Sequence, residues 1–560
     1  MKTVDSQSSF DKLSSLAHDF NVNGFLEVCD WAESEPCLQD SVARVREMLQ
    51  SGMKIGFDDK ELRQRALDER RWKNLTSALE HPEIIDHMLV TEIANGWIAG
   101  PFSMNTKTAL QIRTSPIGLV PKTEEGRAIP GKFRRIFHLS YPVTGGVSVN
   151  DSIQVESFTM SAFEDCISYI KSCGPGCYLA KSDIDAAFRQ IPVDIRDRRM
   201  FGFVWKDHLY VDLRLPFGSK SSPALFGHLA QVVLFGTRML SGISTVTVFV
   251  DDFIFVGSSE DECNQALDCF LQVTSKMGVK VKLSKTFRPV RRLLILGVLF
   301  DTVDWTIGLS DIKRQVLLEQ LHEVVQQKRC TLTSMRSLAG RLTWASSVIV
   351  AGRLFTRRLY NMIQTWKEGH QYNMWKGVRR DLNWWIQTLQ MEESCQSPIH
   401  EEWIHDGDIN LFTDASDWGY GAFFDGQYFY GEWSQEQRGL SINARELIAV
   451  VLSLKAWGPQ LSGKQITVQC DNTSTIQAWT KRSTRSGEML PWLYELHFVA
   501  ARYGCGVRLC HVPGVENTLA DCLSRFGQIG YPTKFQETCC SEGWDVVSRI
   551  TPPHVQHRNW

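Results

Sequence analysis

Residues 245–257 read Thr245-Val246-Thr247-Val248-Phe249-Val250-Asp251-Asp252-Phe253-Ile254-Phe255-Val256-Gly257, two carboxylates set between two runs of β-forming residues. The pattern predicts a β-hairpin whose tight turn is made of Asp251 and Asp252. Adjacent like charges repel and resist removal from water, so a buried turn of this kind needs positive charge beside it. A divalent cation supplies that charge, and hard Mg²⁺ prefers carboxylate oxygens. Asp is also an ordinary residue of exposed turns. The stretch alone fits both an acidic surface turn and half of a metal site.

Working outward, Cys177–Val193 is an apolar strand that ends in acids and turns into a short helix. Asp183 and Asp185 share one face of an extended segment, and either can join the Asp251-Asp252 pair. Each alone also suits a helix N-cap. Further upstream, Pro116–Lys122 and Lys132–Leu139 form a two-stranded ribbon with a basic tip. Such a ribbon is either an exposed hairpin or a cover for a polyanion such as a triphosphate, gripped by forked Arg contacts. Between Val193 and the central stretch lies Leu213–Phe226, where Pro216 and Gly218 predict a turn and Ser221 or Ser222 caps a helix with Pro223 at its first position. Downstream, residues 260–276 predict a helix, 280–285 are Lys-rich, and Arg288, Arg291 and Arg292 precede a strand over 293–298.

Bulk properties restrict the rest. A chain of 560 residues predicts several domains, and its net charge of −2 excludes binding of nucleic acid through overall basicity; local charge must carry any such role. Met1–Gln7 lacks the apolar run of a signal peptide and no stretch reaches transmembrane length, so the expected setting is intracellular, cytoplasm or nucleus, with no membrane. The 15 cysteines are scattered without a CxxC, which argues against zinc and for a reducing compartment. Residues 1–95, including the charged run Asp58–Glu80, predict a solvated helical extension. Residues 311–404 predict helices that mix Arg with apolar residues, suited either to tracking a duplex backbone or to helix packing.

From about 405 a separate pattern begins. Asp414 ends a strand, Asp425-Gly426 joins a hairpin, Glu446 sits on an amphipathic helix, Asp471 follows the strand 465–470, and Asp521 lies on a late helix. Residues 528–560 predict a loose tail.

Taken in order, several motifs resemble the polymerase of retroelement reverse transcriptases. They are the basic ribbon, Asp183-x4-Phe188, Leu215-Pro216-Phe217-Gly218 with Pro223-Ala224 and Phe226, Phe249-x-Asp251-Asp252, the Lys-rich segment, and Leu296–Asp301. Thr413–Ser416, Ala444–Ala449, Cys470–Asn472 and His511–Gly514 with Asn517, Asp521 and Leu523–Arg525 resemble ribonuclease H of gypsy-like and DIRS-like elements. His138–Pro142, Ser148–Asp151 and the Arg-bearing helices are similar to the DIRS group, whose elements encode a tyrosine recombinase. Neither an aspartic-protease triplet nor a zinc-type integrase arm is evident in the sequence.

The resemblance implies a multidomain α/β and α+β chain. It comprises an N-terminal helical extension (1–95), right-hand fingers and palm (96–310), a thumb or connection (311–404), a ribonuclease H-like domain (405–527) and a tail (528–560). It implies an RNA- and DNA-directed DNA polymerase with ribonuclease H activity, working on RNA template, DNA primer, RNA–DNA hybrid and deoxynucleoside triphosphates, with a separately encoded recombinase as a possible partner. Two Mg²⁺ per site are implied, with Mn²⁺ as substitute. The ligands would be Asp183, Asp251, Asp252 and the carbonyl of Ile184 in one site, and Asp414, Glu446, Asp471 and Asp521 in the other. Lys122, Arg134 and Arg135 would hold the triphosphate, Phe188 would exclude a 2′-hydroxyl, Phe217 and Gly218 would line the nucleotide pocket, and Lys285 would donate a proton to pyrophosphate. His511 is either a mobile nuclease residue or a structural strand-end residue. Phe249 stands where relatives often carry Tyr. A gypsy-like polyprotein segment with the same activities and a non-catalytic nucleic-acid-binding scaffold are the alternatives.

Overall fold

The computed structural model describes residues 11–57, 72–142, 146–154, 162–391, 395–399, 409–462, 464–503, 505–544 and 547–557. Much of the charged run 58–80 falls outside them. The chain divides into two compact units, Met1–Lys313 and Arg314–Trp560. No described helix is long and apolar enough to cross a membrane.

In the first unit, helices α1 (Val22–Glu33) and α2 (Gln39–Ser51) are not solvated. Phe25, Val28, Cys29 and Ala32 recur at helical spacing and are fully buried, as are Val45 and Met48. Their faces join one core with the two long helices described below, because an apolar stripe of this width must be covered. On their outer face Arg46 bridges Asp30 at 2.5 Å and Glu33 at 2.9 Å.

Helix α3 (Pro82–Ala94) leads into β1 (Ile98–Phe102), and then the ribbon β2 (Ile117–Glu124) and β3 (Arg127–Phe137) rises. Only the base of the ribbon is buried. Next come β4 (Tyr178–Asp183), the short α4 (Ala187–Gln190), and the hairpin β5 (Gly202–Trp205) and β6 (His208–Asp212), which joins β1 in one sheet. Helix α5 (Ser222–Ser241) precedes β7 (Val246–Phe249) and β8 (Asp252–Gly257). Helix α6 (Glu260–Met277) precedes β9 (Phe287–Val290). These strands make an antiparallel sheet in the order β7-β8-β4-β9, with α5 and α6 among the elements covering it.

The central hairpin differs from expectation by one residue. Phe249 pairs with Asp252, so the turn is Val250-Asp251, and Asp252 is the first residue of β8. The predicted single strand over 293–298 is likewise a hairpin, β10 (Arg292–Ile295) and β11 (Val298–Asp301). Leu296 and Gly297 turn it with φ of 48° and 83°, the left-handed pair that a two-residue turn requires. Strand β12 (Thr306–Leu309) extends it.

The second unit holds α7 (Leu332–Ala345), α8 (Arg357–Gln364) and α9 (Lys376–Gln390). Their Arg residues occupy two settings. Arg358 binds the buried Asp381 at 2.9 Å, whereas Arg336 pairs with Glu368 at the surface. The C-terminal sheet is built from β13 (Ile409–Ala415), β14 (Gly419–Phe424), β15 (Gln427–Glu432), β16 (Gln465–Cys470) and β17 (Gly506–His511). Its order is β17-β16-β13-β14-β15, parallel over the first three and antiparallel thereafter. Asp425 and Gly426 close the β14–β15 hairpin with φ of 47° and 71°.

Helix α10 (Ile442–Trp457) carries Glu446. It is not amphipathic as expected: Ala444 to Leu454 are all buried, because it is covered on every side. Helices α11 (Thr473–Thr480), α12 (Met489–Arg502) and α13 (Thr518–Ser524) complete the layer. The tail is not loose either. In α14 (Tyr531–Ser541), Phe535 and Cys539 bury themselves against Phe423 and Leu523, and Ser548–Arg549 add a parallel strand beside β15. All 15 cysteines are free.

Candidate active sites

Strand pairing creates the first site. Asp183, last residue of β4, lies opposite Asp252, first residue of β8, and Asp251 occupies the turn between β7 and β8. Asp183 is buried; Asp251 and Asp252 are half-buried. Burial, then the neighbouring Asp183 and Asp252 charges, push the Asp251 carboxyl up to about 6. Burial and Asp183 raise Asp252 as well. The nearby cations are Lys285, whose Nζ donates to Asp183 Oδ2 at 2.5 Å, and Lys181, whose Nζ donates to the Leu294 carbonyl at 2.6 Å. Three crowded carboxylates with two lysines near them suit a hard divalent cation. The N–H of Ile184 donates to the Asp251 carbonyl at 3.1 Å. In an extended residue the carbonyl leaves on the same side as the N–H, so that of Ile184 faces the Val250-Asp251 turn. Asp185, the other acid considered at this strand end, is exposed, and its backbone N–H is used by the Lys280 carbonyl.

A cationic and aromatic face belongs to the ribbon and the loop before α5. Lys122, Lys132 and Arg134 are exposed on the ribbon. Partial burial and then the Arg134, Lys282 and Lys132 charges lower the Lys122 ammonium below its ordinary value, so these cations share one field. The Arg134 guanidinium sits 4.6 Å over the Phe217 ring, and Phe217 lies 5.4 Å from Phe188. Gly218 has φ of +116°, and a Cβ there would meet the Phe137 carbonyl oxygen at 2.2 Å, so only glycine fits. Asn150 fixes this loop: its Nδ2 donates to the Gly218 carbonyl at 3.0 Å and its Oδ1 accepts from the Lys220 N–H at 3.1 Å.

Arg135 does not share that face. Successive residues of a strand point to opposite sides, and Arg135 points inward, where it binds Glu92 at 2.6 Å and Asp212 at 3.0 Å. Its expected contact with a triphosphate is therefore withdrawn. The Lys285 ammonium lies on the acidic side of the site, at Asp183.

In the second site, Asp414 comes from β13, Glu446 from α10 and Asp471 from the end of β16. Glu446 and Asp471, with Cys470 between them, bring potential ligand atoms within 4.8 Å of one another. Burial and then the Asp414 and Asp471 charges push Glu446 well above the usual carboxylate range. Burial holds Asp414 up to about 6, and its Oδ2 is buried without a hydrogen-bond partner. An acceptor-only oxygen left in this state suits a cation. Burial and the Glu446 charge keep the Cys470 thiol protonated, so the oxygens rather than the sulfur suit a hard ion. Asp521 is ion-paired with Arg525 one turn on, whose charge also acts on Asp414, and lies 4.0 Å from Lys534. His511 is exposed at the end of β17 opposite Cys470, and the loop after it passes Asp471, since a Cβ at Gly514 would lie 3.4 Å from Asp471 Oδ2.

Sequence reasoning missed three contributors. Gln190 clamps the backbone beside Asp185, donating to the Asp185 carbonyl at 2.6 Å and accepting from the Lys280 N–H at 2.9 Å. The others are Asn150, which holds the Gly218 loop, and Lys181, beside the acids. A polar residue just after an acidic strand end is the only signal for Gln190; nothing local marks the other two.

Comparison with known proteins adds the following. Residues 131–326 match the family model of reverse transcriptase (RNA-dependent DNA polymerase), and residues 405–498 match that of the RNase H-like domain found in reverse transcriptase. Two stretches of the chain thus resemble, in order, the polymerase and the RNase H-like parts of reverse transcriptases. Polyprotein P3 of Commelina yellow mottle virus is 22% identical over 417 residues, covering 71% of this chain and 20% of that protein. The transposon Tf2-3 polyprotein of Schizosaccharomyces pombe is 20% identical over 434 residues, covering 74% of this chain and 29% of that protein. The chain therefore spans well under half of these relatives. A solved foamy viral protease-reverse transcriptase in complex with double-stranded DNA superposes with a TM-score of 0.48 at 15% identity, over 89% of this chain and 83% of that one.

Proposed function

We propose that the chain is an RNA- and DNA-directed DNA polymerase joined to a ribonuclease H, serving a retroelement. The observation that carries this reading is the convergence of Asp183, Asp251 and Asp252, together with the cationic and aromatic face of Lys122, Arg134, Phe217 and Phe188. The acids suit two Mg²⁺, with Mn²⁺ as substitute, and the face suits a deoxynucleoside triphosphate. The bound ions would supply the charge that activates a primer 3′-hydroxyl and stabilises the leaving pyrophosphate. The protein's own part is position. Asp183 and Asp252 are fixed by strand pairing, and the Ile184 carbonyl is turned toward Asp251. Lys122 and Arg134 meet phosphate charge, and the Phe188 ring, backed by Phe226 at 6.0 Å, crowds a 2′-hydroxyl.

In the nuclease half, Asp414, Glu446, Asp471 and Asp521 would hold two Mg²⁺ and act on the RNA strand of a hybrid, which its 2′-hydroxyl distinguishes. Asp521 would exchange its Arg525 partner for the ion. The proposed division is an N-terminal extension over 1–95, fingers and palm over 96–310, thumb or connection over 311–404, nuclease over 405–527 and tail over 528–560. The motifs at His138–Pro142 and Ser148–Asp151 support a DIRS-like element, with a separately encoded tyrosine recombinase as partner.

The test is extension of a DNA primer on an RNA template by the purified chain. Synthesis that requires a divalent cation and prefers deoxynucleotides supports the reading. Tight binding of the primer–template without any synthesis would replace it with a non-catalytic scaffold.

A further inference from the structure

Behind the nucleotide-facing surface lies a second, largely internal arrangement of charge. Arg135 of β3 donates to Glu92 Oε2 through Nη2 at 2.6 Å and Nε at 3.2 Å, and to Asp212 Oδ2 at 3.0 Å. Arg189 of α4 donates to Asp212 Oδ1 at 2.7 Å and Glu92 Oε2 at 3.2 Å. Two acids and two guanidiniums thus close a ring that joins α3, β3, α4 and the end of β6. The side chains of Arg135, Arg189 and Asp212 are 2%, 4% and 1% exposed and that of Glu92 is 16% exposed, so the ring is buried except at its Glu92 edge. Burial alone would raise the Glu92 carboxyl, yet the two guanidiniums hold it below its ordinary value. Aromatic rings seal the ring: Arg135 lies 4.7 Å over Phe203 and Arg189 lies 5.5 Å over Trp97.

The ring's members adjoin those of the outer face. Arg134 and Arg135 are successive residues, as are Phe188 and Arg189. The outer pair meets across Phe217, Arg134 at 4.6 Å and Phe188 at 5.4 Å. The inner pair meets across Glu92 and Asp212. A buried ion ring of this kind contributes little net stability, since desolvation offsets the attraction, but it fixes geometry because its bonds are short and directional.

We propose that the Glu92–Arg135–Asp212–Arg189 ring is a positioning device that sets the distance between the ribbon cation Arg134 and the sugar-facing Phe188, and thereby tunes both nucleotide affinity and discrimination against ribonucleotides. This rests on the polymerase reading. None of the four touches the nucleotide; they act through their neighbours.

The experiment is steady-state primer extension with dTTP and UTP by the full chain. It uses Glu92→Gln, Asp212→Asn and the double variant Arg135→Met/Glu92→Leu, which removes one cation and one anion together and leaves Arg189 with Asp212. A shift of the ribbon of about 1 Å can cost up to about 100-fold, so a partial loosening predicts a rise of about tenfold in the KM for dTTP with kcat within about twofold. The preference for dTTP over UTP falls about tenfold, and the double variant keeps the parental melting midpoint. The inference is overturned if KM and preference stay parental, or if kcat, preference and melting midpoint fall together in all three variants as for simple unfolding. A parent that does not extend the primer at all overturns the polymerase reading and this inference with it; a parent that extends normally while the variants match it overturns this inference alone.

Discussion

Val250 has φ of +56°, a left-handed backbone at the first central position of a two-residue turn where glycine is usual. A β-branched residue is strained there by about 1–3 kcal/mol, and such strain persists only where surroundings enforce it. Here it presents Asp251 to Asp183 and Ile184. Val250→Gly is expected to raise thermal stability by about 1 kcal/mol, read from melting, while lowering the rate of primer extension because the turn is freer. Asp251 itself gives a pH signature. Its carboxyl stays protonated up to about 6, whereas the unfolded chain loses that proton near about 4. Between those values the folded state binds more protons, so this group's contribution to stability is lost as pH rises through the window. In chelator, Asp251→Asn should therefore melt higher than the parent at pH 7.5 and equal to it near pH 4, and added Mg²⁺ should raise the parent more than the variant. A parent and variant with the same pH dependence would contradict this. At the same scale, the neighbours Arg134 and Arg135 show what one sequence conceals. Their identity was legible and so was the alternation of a strand; what could not be read was which of them faced in, because the acids that decide it, Glu92 and Asp212, lie 43 and 77 residues away.

At the scale of elements, the order strand, acid, helix, loop, helix, hairpin was readable because each break carries a residue with a local reason. Asp425-Gly426 is an example, whereas the Leu296-Gly297 turn is hidden inside an apolar run. The central turn lies one residue earlier than expected because two acids look more turn-like than Val250, and the pairing of Phe249 with Asp252 sets the register. The loop at Phe217-Gly218 is expected to be intolerant of change. Gly218→Ala would force a Cβ against the Phe137 carbonyl and break the Asn150 contact, so primer extension should fall at least tenfold, while hybrid cleavage by the C-terminal domain is retained. Equal loss of both activities would point instead to general unfolding. In the N-terminal helices the high charge masks the periodicity, in which Phe25, Val28, Cys29 and Ala32 trace a buried stripe.

For the whole molecule, the two carboxylate clusters arise from separate sheets in separate units, each with its own core. The last helix belongs to the second core, where Phe535 and Cys539 are 2% exposed. Ending the chain after Gln528 should therefore lower the melting midpoint of the nuclease unit, as loss of a buried aromatic typically costs about 3–5 kcal/mol. An unchanged midpoint would refute that packing. The carboxylates of both sites were legible as strand-end and helix acids, because their chemistry resists burial without a partner. The partners were not legible, since Lys285, Arg525 and the cysteine beside Glu446 reach them only through the fold. The central claim is that two independent phosphoryl-transfer sites share one chain. It is tested most directly by assaying primer extension and hybrid cleavage side by side in the parent, Asp251→Asn and Asp471→Asn. The account predicts that Asp251→Asn abolishes synthesis and leaves cleavage intact, and that Asp471→Asn does the reverse; an Asp251→Asn chain that still extends a primer would contradict it.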